Sequence, residues 1–166
     1  MFFLLATVVF VPMLIELWLS RRNERELRAM GAVEPEGDVY ALMQVAYPLG
    51  FLLTIAVAWM RPAPVDAVAA AGFTIFVGAK LLKYWAITAL GVRWTFRVLV
   101  PPGSTPLALG PYRVLRHPNY IAVMGEIAGA ATIAHAPLAG AVVVVVFGAL
   151  IVLRVRIEER ALGLRR

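Results

Sequence analysis

Long apolar runs alternate with short polar stretches along this chain, and the length of each run decides what it builds. Met1 to Leu19 is the first run. It has neither a basic n-region nor an Ala-x-Ala-like cleavage site, so it reads as a retained span and not as a signal peptide. Pro12 is placed to kink it, and Glu16 lies near its end. Glu24 and Arg28 are four apart, which supports helix beyond the bilayer to about Gly31. Residues 32–37, with Pro35 and two acids, predict a loop. Asp38 to Met60 is the second span, with Asp38 placed as an N-cap and Pro48 and Gly50 in mid-span. Arg61-Pro62-Ala63-Pro64 predicts a tight turn. Val65 to Leu90 is the third span. Gly72 and Gly78 allow close helix approach there, and Lys80, Lys83 and Tyr84 share one face by their spacing. The reading for the two lysines is that they snorkel to the headgroups.

Gly91 to Pro118 is the one long polar segment. Val98-Leu99-Val100 followed by Pro101-Pro102-Gly103 predicts a short extended stretch and a turn. Asn119 to Ala134 is apolar except for Glu126 and covers about 24 Å as a helix. Pro137 suits the first turn of a last helix that runs to about Leu162. The fold expected is therefore all-α: a polytopic integral membrane protein of five transmembrane helices, the last two a hairpin with its tip at His135-Ala136. Residues 1–166 make a single domain, with three spans in 1–90 and a chemically distinct half in 91–166.

Composition sharpens this picture in three ways. Of 166 residues 61% are hydrophobic and 16% charged, well short of the roughly 25% charge of a soluble domain. There is no cysteine and there are two histidines, His117 and His135, so no metal site is expected. The net charge of +6 does not point to nucleic acid, because the arginines sit in short loops between apolar runs. With five spans and the N-terminus outside, every lysine and arginine except Arg61 falls on one side. The positive-inside rule makes that side cytoplasmic and puts the C-terminus there. The expected location is the cell inner membrane, with the polar clusters facing the cytoplasm.

Those clusters are two. Gly110 to Tyr120 reads Gly-Pro-Tyr-Arg-Val-Leu-Arg-His-Pro-Asn-Tyr, and Arg154, Arg156, Glu158 and Glu159 close the last helix. Glu126 stands between them inside a span, where a carboxylate costs roughly 2.5–3.5 kcal/mol and needs a partner or a purpose. One reading is a structural ion pair with Arg113, Arg116 or a third-span lysine; the other is a ligand site. His117 and Tyr120 read either as interfacial side chains or, with Arg113 and Arg116, as a site. Arg154 and Glu158, four apart, read as surface pairing or as the other wall of that site. Trp85 and Trp94 read as belt aromatics. Glu16 reads as pairing with Arg21 or with a neighbouring span.

Gly-Pro-Tyr-x-x-x-Arg-His-Pro-x-Tyr, a Glu in the following span and Glu158-Glu159 on the last helix resemble the isoprenylcysteine carboxyl methyltransferase family and its phospholipid methyltransferase relatives. The resemblance covers Leu90 to Leu162. Glu16 with Ser20-Arg21-Arg22-Asn23, and Leu90-Gly91-Val92-Arg93-Trp94-Thr95, look like the small bacterial members, some of which are alkylresorcinol or alkylpyrone O-methyltransferases. The resemblance implies an integral membrane enzyme that uses S-adenosyl-L-methionine, held by the C-terminal half, and a lipophilic acceptor entering from the bilayer among membrane lipids. Carried over by motif, Tyr112, Arg116, His117, Pro118, Tyr120, Glu126 and Glu159 surround the cofactor, while Arg154 and Glu158 face the substrate. A phenolic acceptor must lose a proton, for which His117 or Glu158 is the candidate base. The chain is much shorter than the eukaryotic enzymes, which argues against a prenylated-protein substrate. Two other classes stand beside this one. An NADPH-dependent membrane reductase of the steroid-reductase type needs more basic residues for a 2′-phosphate. A non-enzymatic accessory protein leaves Glu126 and Arg116-His117 without a purpose.

Overall fold

The computed structural model describes residues 2–61, 64–104 and 108–161. Within them the chain forms five α-helices, α1 (Phe2–Ala29), α2 (Tyr40–Met60), α3 (Ala67–Leu90), α4 (Pro118–Ile133) and α5 (Pro137–Ala161), and no strand. Four of these, α1, α2, α3 and α5, are long and apolar enough to cross a membrane; α4 has 16 residues. The protein is a multi-pass membrane protein, and its outward faces carry the exposed Leu14, Trp18, Leu42, Phe73, Leu81 and Val145 that lipid would cover. The helices run where the apolar runs predicted them, and α1 and α2 continue through Pro12 and Pro48. Pro118 and Pro137 each open a helix, where their missing N–H groups cost nothing. The turn expected at residues 61–64 lies partly outside the described residues.

The capping differs from expectation in an instructive way. Asp38 does not cap α2; Val39 holds that position and makes no side-chain cap. Asp38 stands one residue earlier, where it accepts the N–H of Tyr40, the first residue of α2, at 3.2 Å and gives the rest of its carboxylate to the partners described below. Asp66 caps α3 instead, accepting the Ala69 N–H at 2.9 Å. That hydrogen bond, with the His135 charge adding to it, holds the Asp66 carboxyl below its ordinary range.

α4 is the inner helix of the bundle. It packs on α3, α5 and α2, and nine of its residues are buried. Its contact with α3 is close because glycine faces backbone: a Cβ on Gly72 would stand 2.9 Å from the Gly129 carbonyl, and one on Gly129 would stand 2.7 Å from the Phe76 nitrogen. This is how small residues let membrane helices approach. Gly78, expected to do the same, faces open space. The apolar core gathers Val9, Phe51, Ile55, Phe76, Ile127 and Phe147 between the helices.

Two contacts mark the ends of the bundle. At one end His135, at the hairpin tip, meets Asp66 at 3.2 Å. At the other, Val33 and Val100 exchange backbone hydrogen bonds of 3.1 and 3.0 Å, an isolated antiparallel bridge. The extended stretch expected at Val98–Val100 is this pairing.

Candidate functional site

Two helix ends make the site. Pro118 and the preceding Gly110–Arg113 turn fix how the chain enters α4, so His117 stands just before the helix and Tyr120 in its first turn. The last turns of α5 run antiparallel beside them and present Arg154, Glu158 and Glu159. His117 Nε2 lies 3.4 Å from Glu159 Oε1, and Nδ1 lies 3.9 Å from Glu158 Oε2. The imidazole stacks on Tyr120 with centroids 5.6 Å apart. The Tyr120 hydroxyl donates to Glu158 Oε2 at 2.8 Å, and Arg154 Nε donates to the Tyr120 oxygen at 2.8 Å. Arg154 Nη1 reaches Asp38 Oδ1 at 3.1 Å, and Nη2 donates to the Phe96 carbonyl.

The segment after α3 is held in place from α1. Asn23 donates to the Gly91 and Trp94 carbonyls at 3.2 and 2.8 Å, and Ser20 accepts the Phe96 N–H at 2.8 Å. The Trp94 indole donates to Asn119 at 3.3 Å, beside the start of α4. Trp94 is among the largest fully buried side chains, a core residue and not the belt aromatic expected. Tyr112 is half-buried on the same side. Burial, with the nearby Glu158 charge, raises its phenol above the ordinary range, so it offers a neutral ring and hydroxyl. Pro118 is buried, and Arg116 stands exposed.

Glu126 lies apart from this group, inside the bundle and 1% exposed. Tyr47 donates to its Oε2, and the Lys80 and Lys83 ammonium groups lie 3.2 and 3.4 Å from its oxygens. Both lysines also reach Glu16, at 3.0 and 2.6 Å. Two carboxylates and two ammonium groups from α1, α3 and α4 thus form a neutral knot, with Tyr47 of α2 against it. The lysines do not snorkel: Lys83 is 1% exposed, and two buried anions draw both inward. Of the two readings given for Glu126, the geometry matches the ion pair with third-span lysines. Glu16 pairs with a neighbouring span and not with Arg21.

Of the sequence-derived candidates, the structure therefore brings together His117, Tyr120, Arg154, Glu158 and Glu159, with Tyr112 and Pro118 beside them. Asp38 is the member that sequence reasoning missed. Its signal was an acid next to a span at a position where a cap sufficed to explain it. Among the described residues no group of His, Cys, Asp and Glu could hold a metal ion.

The model of the isoprenylcysteine carboxyl methyltransferase (ICMT) family matches residues 70–164, which hold every residue of the site except Asp38. The chain is 30% identical to the uncharacterized protein YpbQ of Bacillus subtilis strain 168, over 98% of this chain and 96% of that one. It is 22% identical to an uncharacterized protein of Haemophilus influenzae, over 87% and 85% of the two chains. No solved structure gives a significant match.

Proposed function

The chain belongs to the isoprenylcysteine carboxyl methyltransferase family, and from that membership and the geometry of the site we propose that it is a membrane O-methyltransferase. Its methyl donor is S-adenosyl-L-methionine and its acceptor a lipophilic molecule drawn from the bilayer. One observation carries the reading: His117, Tyr120, Glu158 and Glu159 converge from two helices, with the Glu158 side chain still 29% exposed.

The donor set fits the cofactor. Its ammonium suits a carboxylate such as Glu159, its carboxylate suits the exposed Arg116, and its adenine suits the Tyr112 ring. When bound, it supplies an electrophilic methyl group. The chain's own residues position the acceptor oxygen, exclude water and take up the acceptor's proton where there is one. His117 is the candidate for that last task, and Glu158, which accepts the Tyr120 hydroxyl, is the alternative. Glu126, locked among lysines, is left out of this set.

A phenol or enol of the alkylresorcinol or alkylpyrone kind is the acceptor favoured here over an isoprenylcysteine carboxylate. The resemblance of residues 16–23 and 90–95 to the small bacterial members supports that choice. Binding of radiolabelled S-adenosyl-L-methionine to purified protein is the test. Wild type binds, Glu159→Gln binds roughly 10- to 150-fold more weakly, the loss of a charge-assisted hydrogen bond, and Glu126→Gln keeps its affinity if it folds. No binding by wild type overturns the proposal. Loss in Glu126→Gln with none in Glu159→Gln moves the site deeper into the bundle.

A further inference from the structure

Asp38 lies outside the part of the chain that the family model matches, yet it is built into the site. Its side chain and that of Arg154 are 3% and 5% exposed. Besides Arg154, Asp38 Oδ1 accepts the Tyr40 N–H at 3.2 Å, and Oδ2 accepts the Val98 N–H at 3.1 Å. One carboxylate thereby ties the start of α2 and the 94–98 segment to the end of α5.

The consequence for the site follows from counting donors. Arg154 has only donors, and each of its three nitrogens has a separate acceptor: Tyr120, Asp38 and the Phe96 carbonyl. The Tyr120 hydroxyl has a single proton. With Arg154 Nε donating to its oxygen, that proton can only point the other way, to Glu158 Oε2. The direction of the Tyr120 hydroxyl, and with it the hold on Glu158, is therefore set by Arg154. Arg154 in turn has two anions within its reach on the helix ends, Asp38 and Glu158. A guanidinium released by Asp38 gains most by forking onto Glu158, displacing Tyr120.

We propose that Asp38 is a positioning residue for methyl transfer. By holding Arg154 away from Glu158, it keeps the Tyr120 hydroxyl aimed at Glu158 and leaves that carboxylate beside His117 on the acceptor side. The inference rests on the methyltransferase reading for its catalytic part and on the hydrogen-bond geometry for the rest.

The experiment joins kinetics to a signal from Tyr120 itself. The protein is purified in detergent with its tyrosines labelled with ¹³C at Cζ, and Tyr120→Phe identifies the Tyr120 resonance. In Asp38→Asn that resonance shifts, and in Asp38→Glu it returns toward its wild-type position. With an alkylresorcinol acceptor, Asp38→Asn lowers kcat about tenfold or more while S-adenosyl-L-methionine affinity and acceptor KM stay within about threefold, and Asp38→Glu recovers most of kcat. Should Asp38→Asn fail to fold, Arg154→Lys, which keeps the charge but lacks the planar fork that spans three separated acceptors, is expected to show the same pattern. An unmoved Tyr120 signal overturns the proposal. So does a parallel loss of kcat and cofactor affinity, which marks Asp38 as a brace of the fold alone. Wild-type protein that binds no S-adenosyl-L-methionine sinks the methyltransferase reading and the catalytic part with it, while the Tyr120 signal still judges the hydrogen-bond chain separately.

Discussion

Glu34 shows how a single residue at the polar end of the bundle is tuned. Its two oxygens take Arg28 Nη2 at 2.7 Å and Arg97 Nη1 at 2.6 Å. Burial alone raises its carboxyl pKa, but the two guanidinium groups outweigh that and hold it below the ordinary carboxylate value. A depressed folded pKa means that the Glu34 contribution is complete above the unfolded value near 4.5 and fades as pH falls through the lowered one. At partly exposed positions such a cluster contributes roughly 1 kcal/mol or less, or about 2–4 °C in Tm for a chain of this size. Glu34→Gln should therefore melt a few degrees below wild type at pH 7, and the gap should close as pH falls from 4.5 through the lowered value. Thermal unfolding in detergent across that range checks it, and a gap that widens in acid refutes the assignment. Residues of this kind divide sharply in how legible they were. His117, Tyr120, Glu158 and Glu159 stood out because they break apolar runs at two places a hairpin must bring together. Asp38, Trp94 and Lys83 did not. Each had a sufficient local explanation, as cap, belt aromatic or snorkelling base, and its real partner is 25 residues or more away along the chain.

At the scale of the elements, the apolar runs gave every helix to within a few residues, because run length and proline placement act locally. Which faces meet was not legible. A membrane helix is apolar nearly all round, so the sequence carries no stripe to say which side faces protein. The buried knot of Glu16, Lys80, Lys83 and Glu126 supplies that information in space, joining α1, α3 and α4, with Tyr47 adding α2. Its balance of two charges of each sign is what makes burial tolerable. Removing one member leaves an uncompensated charge at a cost of about 3–5 kcal/mol. Lys83→Met should thus lower the melting temperature by on the order of 10 °C. Glu16→Gln combined with Lys83→Met restores neutrality, and much of the loss should return, a coupling that a double-mutant cycle measures directly. Additive effects of the two substitutions, or a Lys83→Met protein as stable as wild type, would show that the knot does not join the helices.

For the whole molecule, the question is how often the chain crosses the bilayer, and contacts at the two ends of the bundle constrain the answer. At one end lie the Val33–Val100 bridge, the Asp38–Arg154 pair and the His117–Glu159 contact; at the other lies Asp66–His135. α4 begins with the first group and ends with the second, so if α3 and α5 cross the membrane, α4 crosses between them. Its 16 residues cover about 24 Å against a hydrocarbon core near 30 Å. An inner helix tolerates that shortfall because protein, not lipid, surrounds most of it, and the bilayer thins or the neighbours tilt at modest cost. We propose five crossings, which would put the N-terminus and the C-terminus on opposite sides. The orientation we propose follows the arginines: Arg61 lies toward the Asp66–His135 end, while Arg21, Arg25, Arg93, Arg113, Arg116 and Arg156 lie toward the other, the end that the positive-inside rule would put in the cytoplasm. Alkaline phosphatase fused after Ala136 should be active outside the cytoplasm, and green fluorescent protein fused after Arg166 should fluoresce inside it. Fluorescence from both positions would mean that α4 does not cross. Activity reversed at both would keep five crossings but turn the proposed site to the outside, where no pool of S-adenosyl-L-methionine is expected to supply it.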